Sequence, residues 1–213
     1  MTTHQTVKDN RKGSSQNAEE RLNFNSMYEV ELKLRSEHEP VRDRLAAIGA
    51  TPTERVAQTD TYYSVPHRDF ESTDESLRIR REEFLDQSDE SIAAHITYKG
   101  PLIEQESKTR REEETAVEDS ETIQSILEAL GFTPLTTVKK ERERFIYQDY
   151  TIVLDMVDGL GEFVEIERDV SDEDIENARD GARDVLRELD LDPNEHVRTA
   201  YLDLQLSAID DEE

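Results

Sequence analysis

The sequence predicts a mainly β fold of the α+β class, in which eight antiparallel strands close into a barrel with a charged interior and flanking helices. Several short segments alternate charged and aliphatic residues with the period of two that a strand requires. Few segments have helical periodicity. After Met27, lysine occurs only in four of the strand-like segments. So acidic a surface has no evident need for lysine, so we expect these lysines to serve chemistry.

The elements follow from turn and capping signals along the chain. Strands are predicted at 28–35, 54–63, 77–84, 93–98, 108–117, 135–147, 151–157 and 161–168. Helices are predicted at 40–48, 119–130, 171–189 and 195–205. Gly49 ends the first helix, and Ser171 is expected to cap the third, with Asp174 at the capping-box position. Gln148 and Asp149 form the turn of a hairpin.

The first strand shows the charge pattern most clearly. Glu29, Glu31 and Lys33 share one face, and aliphatic side chains form the other. A strand that places two carboxylates and an ammonium on one face, with aliphatic residues behind them, predicts one wall of a polar cavity.

Most other strands repeat this pattern. Their charged faces carry Arg78, Arg80, Lys99, Lys108, Arg110, Lys140, Arg142, Asp155, Glu165 and Glu167. One alternating strand is weak support, because an antiparallel sheet commonly turns a polar face to water. When nearly every strand alternates in this way, a closed barrel with its charges inside and its apolar side under helices uses the pattern better.

The mixed signs of these charges indicate what the interior would hold. Clustered carboxylates need a counter-ion, and hard divalent cations with oxygen ligands supply one. Clustered arginine and lysine need an anion, and a polyphosphate offers several charges and many acceptor oxygens. Glu112 and Glu114 are expected to neutralise the basic wall, whereas Arg144 is either lumenal or at the surface of a strand end.

Composition excludes several classes of protein. The chain has 213 residues and a net charge of -26, which disfavours nonspecific binding to nucleic acid or an anionic membrane. The acidic residues are spread along the chain, which favours a halophilic protein over an acidic mesophilic or partly disordered one. There is no cysteine, hence no disulfide or zinc–thiolate site. Without a long apolar run or signal peptide, a soluble, cytoplasmic protein is expected.

The chain is expected to contain one folded domain. Residues 1–26 are polar and are predicted to be a disordered extension, residues 27–206 a single barrel domain, and residues 207–213 an acidic tail. No internal repeat is present.

Several segments together resemble one family in its motif order. Glu29-Val30-Glu31-Leu32-Lys33 is similar to the ExExK signature of the CYTH superfamily, the triphosphate tunnel metalloenzymes. The later segments that match begin at Gln58, Leu77, Thr97, Ser107, Val138, Leu154 and Gly159. An isolated ExExK would be weak in so acidic a chain, but the ordered set is specific and covers Met27 to about Gln205.

The resemblance implies a role for each charged residue. Glu29, Glu31, Glu165 and Glu167, assisted by Asp155, would hold Mg²⁺ or Mn²⁺, with two ions expected. Lys33, Arg78, Arg80, Lys99, Lys140 and Arg142 would bind the substrate phosphates, with Lys108 and Arg110 less defined in role. Glu29, Glu31, Lys33 and Asp155 would be the catalytic set. Met156 departs from the family, which often has a glutamate there.

Adenylyl cyclase of the class IV type is the activity that the resemblance favours, with ATP as substrate and cyclic AMP and pyrophosphate as products. Hydrolysis of an inorganic or organic triphosphate, such as a thiamine-type substrate, is the alternative. A non-catalytic polyphosphate- or nucleotide-binding module is a third reading. The family allows a homodimer, and neither a nucleic acid nor a membrane is an expected partner.

Overall fold

Eight strands form a closed, wholly antiparallel barrel in the computed structural model, which describes residues 28–86, 92–104 and 109–210. Around the barrel the strands run in the order β1, β5, β4, β3, β2, β6, β7, β8. Their bounds are β1 Tyr28–Arg35, β2 Thr51–Ser64, β3 Ser76–Phe84, β4 Ile92–Glu104, β5 Thr109–Ala116, β6 Thr133–Tyr147, β7 Tyr150–Val157 and β8 Gly161–Val170. The predicted fold class is confirmed.

Four α-helices accompany the barrel in the described part of the chain. They are α1 His38–Ile48, α2 Ser120–Ala129, α3 Ile175–Glu188 and α4 Tyr201–Asp210. Every helix described here is too short or too polar to cross a bilayer. Short 3₁₀ turns at Asp172–Asp174 and Pro193–Glu195 precede α3 and α4.

Local chemistry sets two of the helix ends as predicted. Gly49 follows α1 with φ of 79°, a left-handed conformation that glycine adopts without a steric cost. The side chain of Asp119 accepts hydrogen bonds from the backbone N–H groups of Glu121 and Thr122 at the start of α2. These caps fix where the chain turns between strands.

Two predicted helix starts are wrong. Ser171 caps no backbone N–H; its hydroxyl lies 3.2 Å from the Asp174 carboxylate, and the helix begins at Ile175. The last helix begins at Tyr201 rather than at residue 195, because the Val197 N–H donates to the Lys33 carbonyl at 2.6 Å. This hydrogen bond holds the chain in a non-helical conformation beside the end of β1, so the helix begins only after it.

Most of the apolar core lies outside the barrel, between its outer face and the helices, and a smaller cluster that includes Phe163 and Tyr201 lies on the lumenal face. Leu32 and Leu34 of β1 pack with Ile166 of β8, Leu45 of α1 and Leu186 of α3. A smaller cluster beneath α2 contains Leu127, Ile79 and Tyr63. Because successive strand residues point to opposite faces, burying the aliphatic faces outward directs the charged faces into the lumen.

Some predicted features fall outside the described residues. They are the extension at 1–26, Lys108, residues 211–213 of the predicted acidic tail, and most of the stretch between the predicted strands 77–84 and 93–98. Helix α4 runs to Asp210, into the segment predicted as an acidic tail.

Candidate active site

Three carboxylates from two neighbouring strands meet in the lumen. In the pairing of β1 with β8, Glu31 lies opposite Glu167 and Lys33 opposite Glu165. One carboxylate oxygen from each of Glu31, Glu165 and Glu167 lies within 4.8 Å of the others. The structure therefore brings together three of the five predicted metal ligands.

The electrostatics of these carboxylates fit a divalent cation. Burial, and then the charges of Glu29, Glu165 and Glu31 against the opposing charge of Arg142, raise the pKa of Glu167 to about 8. A carboxyl that keeps its proton at neutral pH marks a place where negative charge exceeds its compensation. Mg²⁺ and Mn²⁺ prefer such all-oxygen ligand sets.

Glu29, the fourth predicted ligand, is paired with a lysine. The Lys99 ammonium lies 2.9 Å from the Glu29 carboxylate and also contacts Glu112. Burial raises the pKa of Glu29, but Lys99, together with a hydrogen bond from Glu112 and the charge of Arg78, outweighs burial and the net shift is downward. Burial raises the pKa of Glu112 to about 8 despite Lys99, with Glu29 acting in the same direction as burial. Lys99 thus bridges the carboxylates of Glu29 and Glu112. This contact agrees with the prediction that Glu112 neutralises the basic wall.

Asp155, the fifth predicted ligand, lies beneath the basic wall. Its carboxylate accepts hydrogen bonds from Arg142 Nε and Nη2 at 2.7 and 2.6 Å, and Lys140 Nζ lies 3.1 Å away. Burial acts against ionisation, yet the charges of Arg142 and Lys140 hold the pKa of Asp155 well below its ordinary value. The contacts show Asp155 as a partner of the basic residues; its metal-binding role stays a prediction.

Arg142 connects the basic wall to the converging carboxylates of Glu165 and Glu167. Its Nη2 donates to Glu165 at 2.5 Å, and its Nη1 lies 3.4 Å from Glu167. Beside it, burial and then the charge of Arg142 lower the pKa of Lys140 to about 8, although Asp155 acts in the opposite direction. Lys140 is therefore still mostly charged at neutral pH, but its pKa lies closer to neutrality than that of a lysine in water.

Asp60 orients the other half of the basic wall, and the sequence analysis gave it no role. Its carboxylate accepts two hydrogen bonds of 2.7 Å from Arg80, and Arg78 Nη1 lies at 3.5 Å. Burial opposes its charge, but Arg80 and Arg78 keep the pKa of Asp60 far below its ordinary range. A signal was available in the sequence: Asp60 belongs to the segment that begins at Gln58 and shares a strand face with Gln58.

Arg110 lines the lumen as predicted, but its guanidinium is committed to the backbone. Arg110 Nη1 donates to the carbonyl of Asp74 at 2.6 Å. Asp74 has φ of 54°, in the left-handed region, so the bond holds the β2–β3 connection in an unusual conformation. Arg144, left open by the sequence, also lines the lumen and pairs with Glu54 and Glu82.

Not every lysine serves the site. Lys139 is exposed and points away from the lumen, whereas its neighbour Lys140 is buried in it. The lysine pattern therefore identified strands correctly, but the expectation that the lysines serve chemistry does not hold for Lys139.

Most of these groups, but not Asp60, Asp155 or Lys139, line one cavity of about 1030 Å³. Predicted metal ligands and predicted phosphate-binding residues both border the cavity, including Glu31, Lys33, Arg78, Lys140 and Glu165. Apolar side chains that were not predicted also contribute, among them Phe70, Leu202, Leu206 and the ring of Tyr201. The cavity is thus acidic on one wall, basic on the next and partly apolar.

The CYTH domain family matches residues 27–201 of this chain. The protein belongs to the CYTH family. A relative from Methanocaldococcus jannaschii named "Putative adenylate cyclase MJ0240" is 34% identical over 181 residues, covering 84% of this chain and 99% of the relative.

Solved structures show the same fold. The PH1819 protein of Pyrococcus horikoshii is 36% identical with a TM-score of 0.77, over 84% of this chain and 98% of that one. HpAC1 of Hippeastrum, a protein with a dominant triphosphatase activity, is 15% identical with a TM-score of 0.58, over 85% and 95% of the two chains. The second likeness concerns the fold alone.

Proposed function

We propose that this protein is a divalent-metal-dependent enzyme that converts ATP to cyclic AMP and pyrophosphate within the barrel. The observation that carries the proposal is the meeting of the Glu31, Glu165 and Glu167 carboxylates with a wall of buried lysines and arginines in one cavity. Neither set of charges is well compensated by itself, and a metal–triphosphate complex compensates both.

The basic wall would bind the triphosphate chain. Asp60 fixes Arg80, and Asp155 fixes Arg142, each through two hydrogen bonds. Side chains held in this way present their remaining donors without a further loss of conformational entropy. When pyrophosphate leaves, the same donors stabilise the charge that develops on it.

The carboxylates of Glu31, Glu165 and Glu167 would hold Mg²⁺ or Mn²⁺. Glu29 would become a further ligand if its ion pair with Lys99 opened. When bound, a divalent ion would lower the pKa of a hydroxyl that it coordinates, such as the ribose 3′-OH, and would neutralise phosphate charge. Glu167 would give up its proton as the site fills, because its raised pKa reflects the surplus of negative charge there.

Two observations favour the cyclase over the hydrolase. The M. jannaschii relative, which this chain matches over 99% of its length, carries the cyclase name. The cavity is also larger than a triphosphate chain needs, and Phe70, Leu202 and Leu206 give it apolar surface that an adenine ring could cover.

The test is product analysis. Purified protein is incubated with ATP or inorganic triphosphate, each with Mg²⁺ or Mn²⁺, and the products are separated by chromatography. We expect cyclic AMP and pyrophosphate from ATP, and neither from the Glu31→Gln variant. ADP and phosphate from ATP, or phosphate released from triphosphate at a higher rate than any cyclisation, would assign the protein to the triphosphatases instead.

A further inference from the structure

Tyr201 is the first residue of α4, and it is placed inside the mouth of the barrel. Its side chain is buried, with 7% of the residue exposed, and it lines the cavity. The ring packs edge-on against Phe163 at 4.9 Å between centroids. It also covers two lysines of the basic wall, with Lys33 Nζ at 4.3 Å and Lys140 Nζ at 4.8 Å from its centroid.

The hydroxyl of Tyr201 is buried without a hydrogen-bond partner among the described residues. Buried hydroxyls are nearly always paired, so an unpaired one that borders a cavity calls for a ligand. Burial, followed by the charges of Glu165 and Asp155, raises the pKa of Tyr201 well above its ordinary value. The group therefore stays protonated and able to donate.

The two lysines under the ring also have donors to offer. Within the described part of the chain, the ion-pair partner of Lys33 is Glu31, at 3.8 Å, which is too far for a hydrogen bond. Lys140 contacts Asp155 at 3.1 Å, which occupies one of its three N–H groups. Two ammonium groups and one hydroxyl therefore border the same part of the lumen with free donor capacity.

We propose that Tyr201 contacts the substrate, donating a hydrogen bond from its hydroxyl to an oxygen of the phosphate group that Lys33 and Lys140 hold. A phosphate group carries several acceptor oxygens on one small centre, so it can accept from all three donors at once. The inference rests on the proposed function, because it places a triphosphate in this lumen. It adds a residue from the helix to a phosphate-binding wall otherwise built from strands.

The experiment uses Tyr201→Phe, which keeps the ring over the lysines and removes only the hydroxyl. Inorganic triphosphate with Mg²⁺ is titrated calorimetrically into the parent and the variant. We expect the affinity of the variant to be about 10- to 100-fold lower, the loss typical of a hydrogen bond to a charged group. Its thermal midpoint without ligand should equal or exceed that of the parent, since an unpaired buried hydroxyl is gone.

Tyr150→Phe is the matched control. The Tyr150 hydroxyl donates to the Ala178 carbonyl at 3.0 Å, beneath α3 and outside the lumen. This variant should have a lower thermal midpoint and an unchanged triphosphate affinity.

Each outcome decides between the proposals. If the parent binds triphosphate and Tyr201→Phe binds it equally well, the phosphate contact is wrong and the proposed function stands. If Tyr201→Phe has a clearly lower thermal midpoint without ligand, the hydroxyl has a structural partner and the contact is likewise wrong. If the parent binds no triphosphate, both proposals fail.

Discussion

The carboxylate of Asp155 and the guanidinium of Arg142 form a two-point hydrogen-bonded pair, with donor–acceptor distances of 2.7 and 2.6 Å. No part of Asp155 is exposed. The pair joins β7 to β6, where the two residues lie opposite each other in register. An aspartate assigned from sequence to the metals is therefore bound to the basic wall.

Asp155→Asn should destabilise the protein and weaken triphosphate binding. The change leaves a buried guanidinium with less compensation, which costs about 3 kcal/mol in the free energy of unfolding when a buried pair loses one partner. Urea denaturation measures the first effect and calorimetric titration the second. Asp158→Asn, in the exposed turn after β7, is the control. A variant of parental stability that loses metal affinity alone would restore Asp155 to the metal ligands.

Glu31→Gln and Glu165→Gln should each weaken Mg²⁺ or Mn²⁺ binding by at least 10- to 100-fold. Each change keeps the side-chain volume and removes one of three converging carboxyl groups. The metal-free thermal midpoint should change little in Glu31→Gln and should fall in Glu165→Gln, because Glu165 accepts a hydrogen bond from the buried Arg142. Glu141→Gln, on an exposed side chain of β6, controls for the loss of a negative charge. Unchanged metal affinity in both lumenal variants would refute the assignment.

Metal binding at pH 7 should release close to one proton, because the pKa of Glu167 is raised to about 8. Between its ordinary value and pH 8 the folded state holds a proton that the unfolded state has lost. This group therefore lowers the free energy of unfolding as pH rises through that window. Metal affinity should rise over the same window and level off above it.

Calorimetry in two buffers of different ionisation enthalpy measures the protons released. The release should vanish by about pH 9.5, where Glu167 is already ionised. Metal binding at pH 7 without proton release would show that Glu167 is not a ligand.

Lys99→Met should reduce both triphosphate affinity and stability. If Lys99 belonged to a mutually repelling basic cluster, the variant would fold at least as stably as the parent. The structure places its ammonium between Glu29 and Glu112 instead, and these carboxylates hold its pKa above the ordinary value despite burial. Its loss leaves two acidic groups facing each other, at a cost of about 1–3 kcal/mol. The measurement is the free energy of unfolding at pH 7 and at pH 5. At pH 5, protonation of the carboxyl groups left without Lys99 should narrow the difference in stability between parent and variant.

Salt should stabilise the fold strongly. The net charge of -26 is spread over the chain, and its self-repulsion is screened over about 3 Å in molar salt. The thermal midpoint should therefore rise markedly from low to molar KCl, with sucrose at equal osmolality as the control for nonionic effects. A midpoint that does not change with KCl would remove the halophilic interpretation.

Strand parity was enough to predict the faces of the barrel. Glu29, Glu31 and Lys33 line the lumen because a strand with aliphatic residues on one side leaves only the other for its charges. The same rule separates buried Lys140 from exposed Lys139. Closure also followed from the pattern, since so many charged faces need a shared interior.

Pairing partners could not be predicted in the same way. Which carboxylate meets which cation depends on the register between strands, and β2 and β6 change register at Pro52/Glu54 and at Tyr62/Tyr63. Tyr201 was missed for a different reason. Its position depends on where the chain returns after Val197 bonds to Lys33, and helical periodicity contains nothing about that path.

The pairing of the first strand with the last has a consequence for the order of folding. Glu31 and Glu165 lie on strands whose paired residues, such as Tyr28 and Val170, stand at opposite ends of the barrel sequence. We expect pairings of such large sequence separation to form after the local hairpins of β3–β4 and β6–β8, because a longer loop must close first. The three lumenal carboxylates would therefore come together only when β1 pairs with β8. An ion that binds at these carboxylates would stabilise the fully folded protein relative to partly folded states, and so would favour the completion of folding.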